Sequence, residues 1–216
     1  MTALPLLSDD DWLYIDTTCC VLNKPAGLPS VPGRGELALG SLAQQAKQRL
    51  PDALVVHRLD MATSGVILLA RGSAWQRAYS QGFAARAVQK SYVAVVHGLV
   101  REDCGEIDLP LITDWPNRPR QKVDPVAGKP SLTHYRVLAR DEDLLQTRVA
   151  LQPITGRSHQ LRVHMLAIGH PIVGDGLYAT TTEQPQASRL LLHAEQLALT
   201  HPLSGEPMVW QSKVEF

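Results

Sequence analysis

Two stretches of this 216-residue chain hold residue types at spacings that can do chemistry. In the first, Val55-Val56-His57-Arg58-Leu59-Asp60-Met61-Ala62-Thr63-Ser64-Gly65-Val66, an apolar run enters a turn and Gly65 leads into another apolar run. That order puts Asp60 at a strand end beside Arg58, on a loop held by rigid strands, where binding residues often sit. An Asp in a turn can equally do no more than accept hydrogen bonds from turn amides. In the second, Pro153-Ile154-Thr155-Gly156-Arg157-Ser158-His159-Gln160-Leu161-Arg162-Val163-His164, a Thr-Gly turn delivers Arg157 just before a helix N-terminus. Free amides there favour anions. Arg157 can pair with a carboxylate and keep it ionised. The acid-free segment 152–172 can also turn Arg157, His159 and Arg162 toward phosphate, or be an ordinary basic surface helix.

Other chemistries find less support. His159 and His164 stand at i, i+5, which does not put both on one helical face as i, i+4 does. A metal-dependent hydrolase built from His57, Asp60, His159 and His164 is a rival reading, but no Cys pair at ligand spacing accompanies them, and no metal site is expected. No G-x-S-x-G elbow occurs. Cys19 and Cys20 lie in an apolar run, where cysteines are usually buried and inert. Gly33-Arg34-Gly35 lacks the Lys-Ser/Thr ending of a phosphate loop. The run Asp114-Trp115-Pro116-Asn117-Arg118-Pro119-Arg120-Gln121-Lys122 spaces three basic residues beside a Trp and an Asn, a strip suited to a phosphate backbone and a stacked base, or simply a solvated loop.

These segments need a frame. Short β-type runs dominate, at 12–15, 19–22, 54–56, 66–70, 92–96, 134–139, 144–151, 190–192 and 196–200, separated by Gly, Pro or Asp turns. Three helices are expected: one capped by Ser41 and stopped by Pro51, one capped by Ser73 with Trp75, Tyr79 and Phe83 in a stripe, and one capped by Ser158 with Leu161, Met165 and Ile168 on one face. The span from Cys104 to Pro130 shows no regular periodicity and holds five of the 15 prolines. The expected whole is one mixed, largely antiparallel α/β domain over residues 1–216, with 1–11 a loose tail.

Composition narrows the class. Lys plus Arg and Asp plus Glu are each 21, so net charge is zero; residues 1–23 hold four acids and no Lys or Arg, leaving 21 bases against 17 acids beyond them. Any nucleic-acid contact therefore comes from local patches rather than a strong overall field. No apolar stretch of about 18 residues exists to span a membrane, and no basic n-region marks a secretory signal. Three cysteines suggest a reducing, cytoplasmic setting.

Read together and in order, the segments resemble the RluA-type RNA pseudouridine synthases. The matching blocks are Asn23-Lys24-Pro25-Ala26-Gly27-Leu28; His57-Arg58-Leu59-Asp60 with Thr63-Ser64-Gly65; Phe83, Arg86, Lys90, Tyr92, Ala94 and Gly98; Thr155-Gly156-Arg157-Ser158-His159-Gln160-Leu161-Arg162; Gly169-His170-Pro171-Ile172 with Gly174-Asp175; and Leu192-His193-Ala194. The resemblance covers about residues 12–210. Ser30-Val31-Pro32-Gly33-Arg34 and Asp108-Leu109-Pro110-Leu111-Ile112 point to the small dual-specificity branch, and a pattern that starts near Trp12 leaves no room for the S4-like domain of larger relatives.

The resemblance implies the pseudouridine-synthase fold: a bent, mainly antiparallel mixed sheet with flanking helices and a central RNA-binding cleft. It implies that uridine in RNA is converted to pseudouridine without metal or organic cofactor. Asp60 would be the nucleophile, Arg157 its ion-pair partner, Tyr92 the residue packing on uracil, Leu192 the apolar floor, and Arg58 the filler of the space left by the extruded base. The likeness makes 23S ribosomal RNA and transfer-RNA anticodon stem-loops the expected partners, with Arg34, Trp115, Arg118, Arg120 and Lys122 as candidate contacts. No protein partner is evident, and a monomer is expected.

Overall fold

The computed structural model describes residues 4–33, 39–178 and 187–216. In chain order the strands and helices are β1 (Trp12–Ile15), β2 (Cys19–Lys24), α1 (Leu42–Arg49), β3 (Ala53–Val55), β4 (Ser64–Arg71), α2 (Ser73–Ala84), β5 (Gln89–His97), β6 (Cys104–Asp108), β7 (Leu111–Thr113), β8 (Gln121–Val123), β9 (Leu132–Asp141), β10 (Gln146–Pro153), α3 (Gln160–Ala167), β11 (Leu192–Thr200) and β12 (Pro207–Gln211). The chain forms two compact units, residues 1–90 with 194–215, and residues 91–193 with Phe216.

The first unit has the strand order β1-β2-β4-β11, with β12 on β11 and β3 on β4; the β1–β2, β2–β4, β3–β4 and β11–β12 pairs are antiparallel. β2 and β4 read as near-continuous apolar runs because both faces are covered. Cys19↔Ala70 at one end and Lys24↔Gly65 at the other set their register. On one face Cys19, Val21, Val66, Leu68 and Ala70 pack with Tyr79, Val88, Leu197 and Trp210, and with the Trp75–Tyr79–Phe83 stripe that the helical spacing predicts. α1 begins as its sequence requires: Ser41 Oγ accepts from the Gln44 amide and Gln44 Oε1 accepts from the Ser41 amide, a capping box. Residues 4–11, read from the sequence as part of a loose tail, are tied to α1 over part of their length. Gln45 Oε1 accepts from the Leu7 amide, Gln45 Nε2 donates to Pro5 O, and Asp9 pairs with Arg49.

The second unit has antiparallel strands in the order β5-β10-β9-β6 and a separate β7–β8 hairpin. Leu111 on β7, Val163 on α3 and Tyr178 form a small core beneath that hairpin. Two sequence expectations change here. The span Cys104–Pro130 is not irregular: β6, β7 and β8 lie within it, too short and proline-interrupted for their alternation to register as a pattern. Ser158 is not the cap of α3; His159 takes that position with a left-handed φ of 54° and makes no side-chain cap.

Candidate active site

In the first unit Asp60 lies on the connection from β3 to β4, and neighbouring side chains hold that backbone on both sides of it. Before it, Ser30 Oγ donates to Leu59 O at 2.7 Å and accepts from the Leu59 amide at 3.1 Å. After it, Met61 O accepts from the Gly27 amide at 2.8 Å and from Lys24 Nζ at 3.1 Å. The Thr63 amide donates to Asp60 O at 3.1 Å, which closes the turn. Farther back, His57 Nε2 accepts from the Leu68 amide at 3.0 Å and its ring stacks on Phe83 at 4.4 Å. The loop thus hangs on β4 through an imidazole where β3 has ended. Arg58 is exposed and Asp60 partly buried.

Lys24 and Ser30 escape a reading of the sequence as site residues; the one signal is a lysine ending an apolar strand within Asn23-Lys24-Pro25. Lys24 is fully buried, and its ammonium also donates to Pro25 O and Leu28 O. Burial pushes its pKa down to about 7, while the negative charge of Asp60 pulls it up. His57 is held neutral: burial, then the nearby Lys90 ammonium, push it down to about 3. Gly65 admits no side chain. At its φ of +111°, a Cβ would stand 2.2 Å from Ala194 O on β11.

In the second unit Arg157 sits on a turn organised by buried Gln160. Gln160 Oε1 accepts from Thr155 Oγ1 at 2.7 Å and from the Arg157 amide at 3.0 Å. Its Nε2 donates to Leu132 O and Thr133 Oγ1, both at 3.0 Å. The Arg157 side chain is exposed, with Nε donating to Pro130 O at 3.3 Å. Tyr92 stands on β5 opposite Leu151 of β10, partly buried, and Leu192 is buried at the start of β11.

Two residues expected to face RNA are engaged elsewhere. Arg162 is only 5% exposed, and its Nε and Nη2 each lie 2.7 Å from an Asp175 carboxylate oxygen. That bidentate pair makes Arg162 an internal strut of α3. His159 Nδ1 lies 2.7 Å from the Tyr178 hydroxyl, so one edge of its ring turns toward Tyr178. His164 is a core histidine, with Thr133 Oγ1 and Leu109 O at 3.0 Å from its two nitrogens. Among the described residues no cluster of three or more His, Cys, Asp or Glu could hold a metal ion. Burial raises the thiols of Cys19 and Cys20 to about 11 and 12, as suits inert core cysteines.

The basic strip is the tip of the β7–β8 hairpin. Trp115 is 64% exposed, and the Arg118 guanidinium lies 3.8 Å from its ring centroid, a preformed cation–π stack. Arg120 and Lys122 are exposed on the same hairpin. Arg34 lies outside the described residues. The two units therefore offer, separately, a carboxylate on a loop pinned on both sides, and an exposed arginine on a pinned turn beside a basic aromatic hairpin.

Residues 18–167 match the family model for RNA pseudouridylate synthase. The chain is 53% identical over 204 residues to the dual-specificity RNA pseudouridine synthase RluA of Yersinia pestis, covering 94% of this chain and 98% of that one. It is 51% identical over 204 residues to the protein of the same name from Escherichia coli K12, covering 94% and 93%. Among solved structures it resembles human RNA pseudouridylate synthase domain containing 1 (TM-score 0.80, 29% identity, 94% and 82% covered) and domain containing 4 (TM-score 0.78, 27% identity, 95% and 88% covered).

Proposed function

The chain belongs to the RNA pseudouridylate synthase family, and from that premise we propose that it isomerises specific uridines to pseudouridine in 23S ribosomal RNA and transfer-RNA anticodon stem-loops, with Asp60 as nucleophile. The observation that carries the assignment of Asp60 is its loop, with Leu59 held by Ser30 and Met61 held by Gly27 and Lys24. An enzyme nucleophile must meet its carbon in a narrow range of geometry, and a backbone fixed on both sides provides that. The buried Lys24 side chain adds a fixed contact next to the carboxylate, through Met61 O at 3.1 Å. That there are two kinds of RNA target is in keeping with the dual specificity in the names of relatives at 51–53% identity; which RNAs they are follows from the resemblance of the motifs.

The reaction breaks the N1–C1′ glycosidic bond, turns the uracil and forms a C5–C1′ bond. The C5 proton is lost to solvent and N1 ends protonated, so no redox partner is needed. Arg157 is the ion-pair partner of Asp60 in the RNA-bound enzyme, Tyr92 packs on the uracil, and Leu192 supplies its apolar floor. Arg58, exposed and two residues before Asp60, fills the gap left by the flipped base; base extrusion costs a few kcal/mol, least in a loop. Trp115, Arg118, Arg120 and Lys122 contact the RNA. The enzyme works as a monomer in the cytoplasm; no helix among the described residues is long and apolar enough to cross a membrane.

The test is tritium release from C5-tritiated uridine in anticodon stem-loop and 23S hairpin transcripts, with EDTA present, by wild type and Asp60→Asn. Release from one uridine by the wild type alone is expected. Release by both proteins removes Asp60 from its role. Binding of transcripts with release by neither makes the chain an RNA-binding module instead, and activity lost only in EDTA makes it metal-dependent.

A further inference from the structure

The β7–β8 hairpin, α3 and the turn before α3 all touch Tyr178. Its hydroxyl accepts from the Gln121 amide at 2.8 Å, at the first residue of β8. The same oxygen lies 2.7 Å from His159 Nδ1, two residues beyond Arg157. The two bonds are compatible when the hydroxyl proton goes to Nδ1. The Tyr178 ring packs with Leu111 of β7 and Val163 of α3, and the Arg162 guanidinium lies 5.0 Å from its centroid. Asp175, which anchors Arg162 by two 2.7 Å bonds, also accepts from the Leu177 and Tyr178 amides at 3.0 and 3.2 Å. The tyrosine is thus fixed from its backbone, its ring face and its hydroxyl, and it is 8% exposed.

The other end of this arrangement is functional surface. Gln121 follows Arg120 directly, and the hairpin tip carries the exposed Trp115–Arg118 stack. A two-stranded hairpin with three-residue strands is not self-supporting. Its orientation relative to the Arg157 turn is set by what it leans on, and the Gln121 amide of β8 is hydrogen-bonded to that support through the Tyr178 hydroxyl.

We propose that Tyr178 is a positioning residue for RNA binding, whose hydroxyl locks the Trp115–Lys122 hairpin to the turn that carries Arg157. This rests on the reading of that hairpin as an RNA contact. Tyr178 touches no RNA itself; it sets the distance and angle between two RNA-facing elements of the same unit.

The test is a double-mutant cycle on the full chain with Tyr178→Phe and Arg118→Ala, read as Kd for the anticodon stem-loop and as kcat and KM for tritium release. Tyr178→Phe keeps the ring and removes one hydroxyl. It is expected to raise Kd and KM about five- to tenfold, the worth of one buried hydrogen bond, with kcat within about twofold. In the Tyr178→Phe background, Arg118→Ala is expected to cost markedly less than in the wild type, because the arginine is already misplaced. Amide exchange at Gln121 in the RNA-free protein is expected to quicken at least tenfold. A general loss of stability would lower kcat through the folded fraction and leave the Arg118 factor unchanged. Unchanged Kd with faster Gln121 exchange, or factors that simply multiply, overturn the proposal. A wild type that binds the stem-loop but releases no tritium would sink the synthase reading, while the binding cycle would still decide the role of Tyr178.

Discussion

Ser30 and Leu59 exchange two hydrogen bonds through a single oxygen: Ser30 Oγ donates to the Leu59 carbonyl and accepts from the Leu59 amide, at 2.7 and 3.1 Å. A side chain here does what a paired strand would do. The residue it holds precedes Asp60. Ser30→Ala leaves a buried amide and a buried carbonyl unpartnered, at a cost of about 1–3 kcal/mol. The expected result is a kcat for tritium release reduced about tenfold or more through lost positioning, with stem-loop Kd nearly unchanged. Equal loss in kcat and binding would mean that Ser30 supports the unit generally rather than the Asp60 loop.

His57 gives the fold an acid sensitivity. Its Nε2 accepts from the Leu68 amide, which needs an unprotonated nitrogen, and its pKa falls to about 3 from an ordinary 6.5. Between those values the unfolded chain binds a proton that the folded one does not. Stability from this group is therefore full above about pH 6.5 and declines as pH falls toward 3, by at most about 1.4 kcal/mol per unit. In His57→Gln that contribution does not titrate. Urea unfolding from pH 4 to 7 should show a shallower acid decline for the variant; parallel curves would reject the assignment.

Gly65 is required by backbone proximity. A Cβ there would stand 2.2 Å from Ala194 O, at a φ of +111° that side chains rarely adopt. Gly65→Ala must push β4 from β11 or shift the backbone next to the Asp60 turn. A loss of about 3 kcal/mol or more is expected by chemical denaturation, and a near-wild-type midpoint would contradict the close approach.

Arg162 and Asp175 form a buried pair, 5% and 1% exposed. Arg162→Met strands a carboxylate in the core and should cost about 3–5 kcal/mol. Arg162→Met with Asp175→Asn should recover part of that. The charge is gone, and the remaining side-chain oxygen can still accept from the Leu177 and Tyr178 amides. A double variant no more stable than the single one would show that the amide contacts, not the stranded charge, dominate.

Much of this was legible in the residues themselves. Runs of Val, Leu and Ile bounded by Gly, Pro and Asp located the central strands. Ser41 with Gln44 and Pro51 located α1, and Trp75, Tyr79 and Phe83 marked the buried stripe of α2. These are signals of period and punctuation, carried by neighbours in the chain. The same logic read 190–192 and 196–200 as two strands where the chain runs as one β11, and missed β6 to β8, strands of five, three and three residues that are too short for a period to emerge.

What the sequence by itself determined is the inventory: the family, the strand-rich α/β class, and an Asp, a Tyr and an Arg in ordered motifs. Only the tertiary structure decided which of these groups is exposed and which is a strut. Arg157 and Arg162 stand five residues apart with the same charge, yet one is exposed and the other is neutralised by Asp175. Lys24, Ser30 and Gln160 look ordinary in the chain, and each holds a loop through atoms on other segments. The physical reason is that periodicity reports which face a residue presents, whereas its partner is set by hydrogen-bond distance across the fold, which a linear order does not contain.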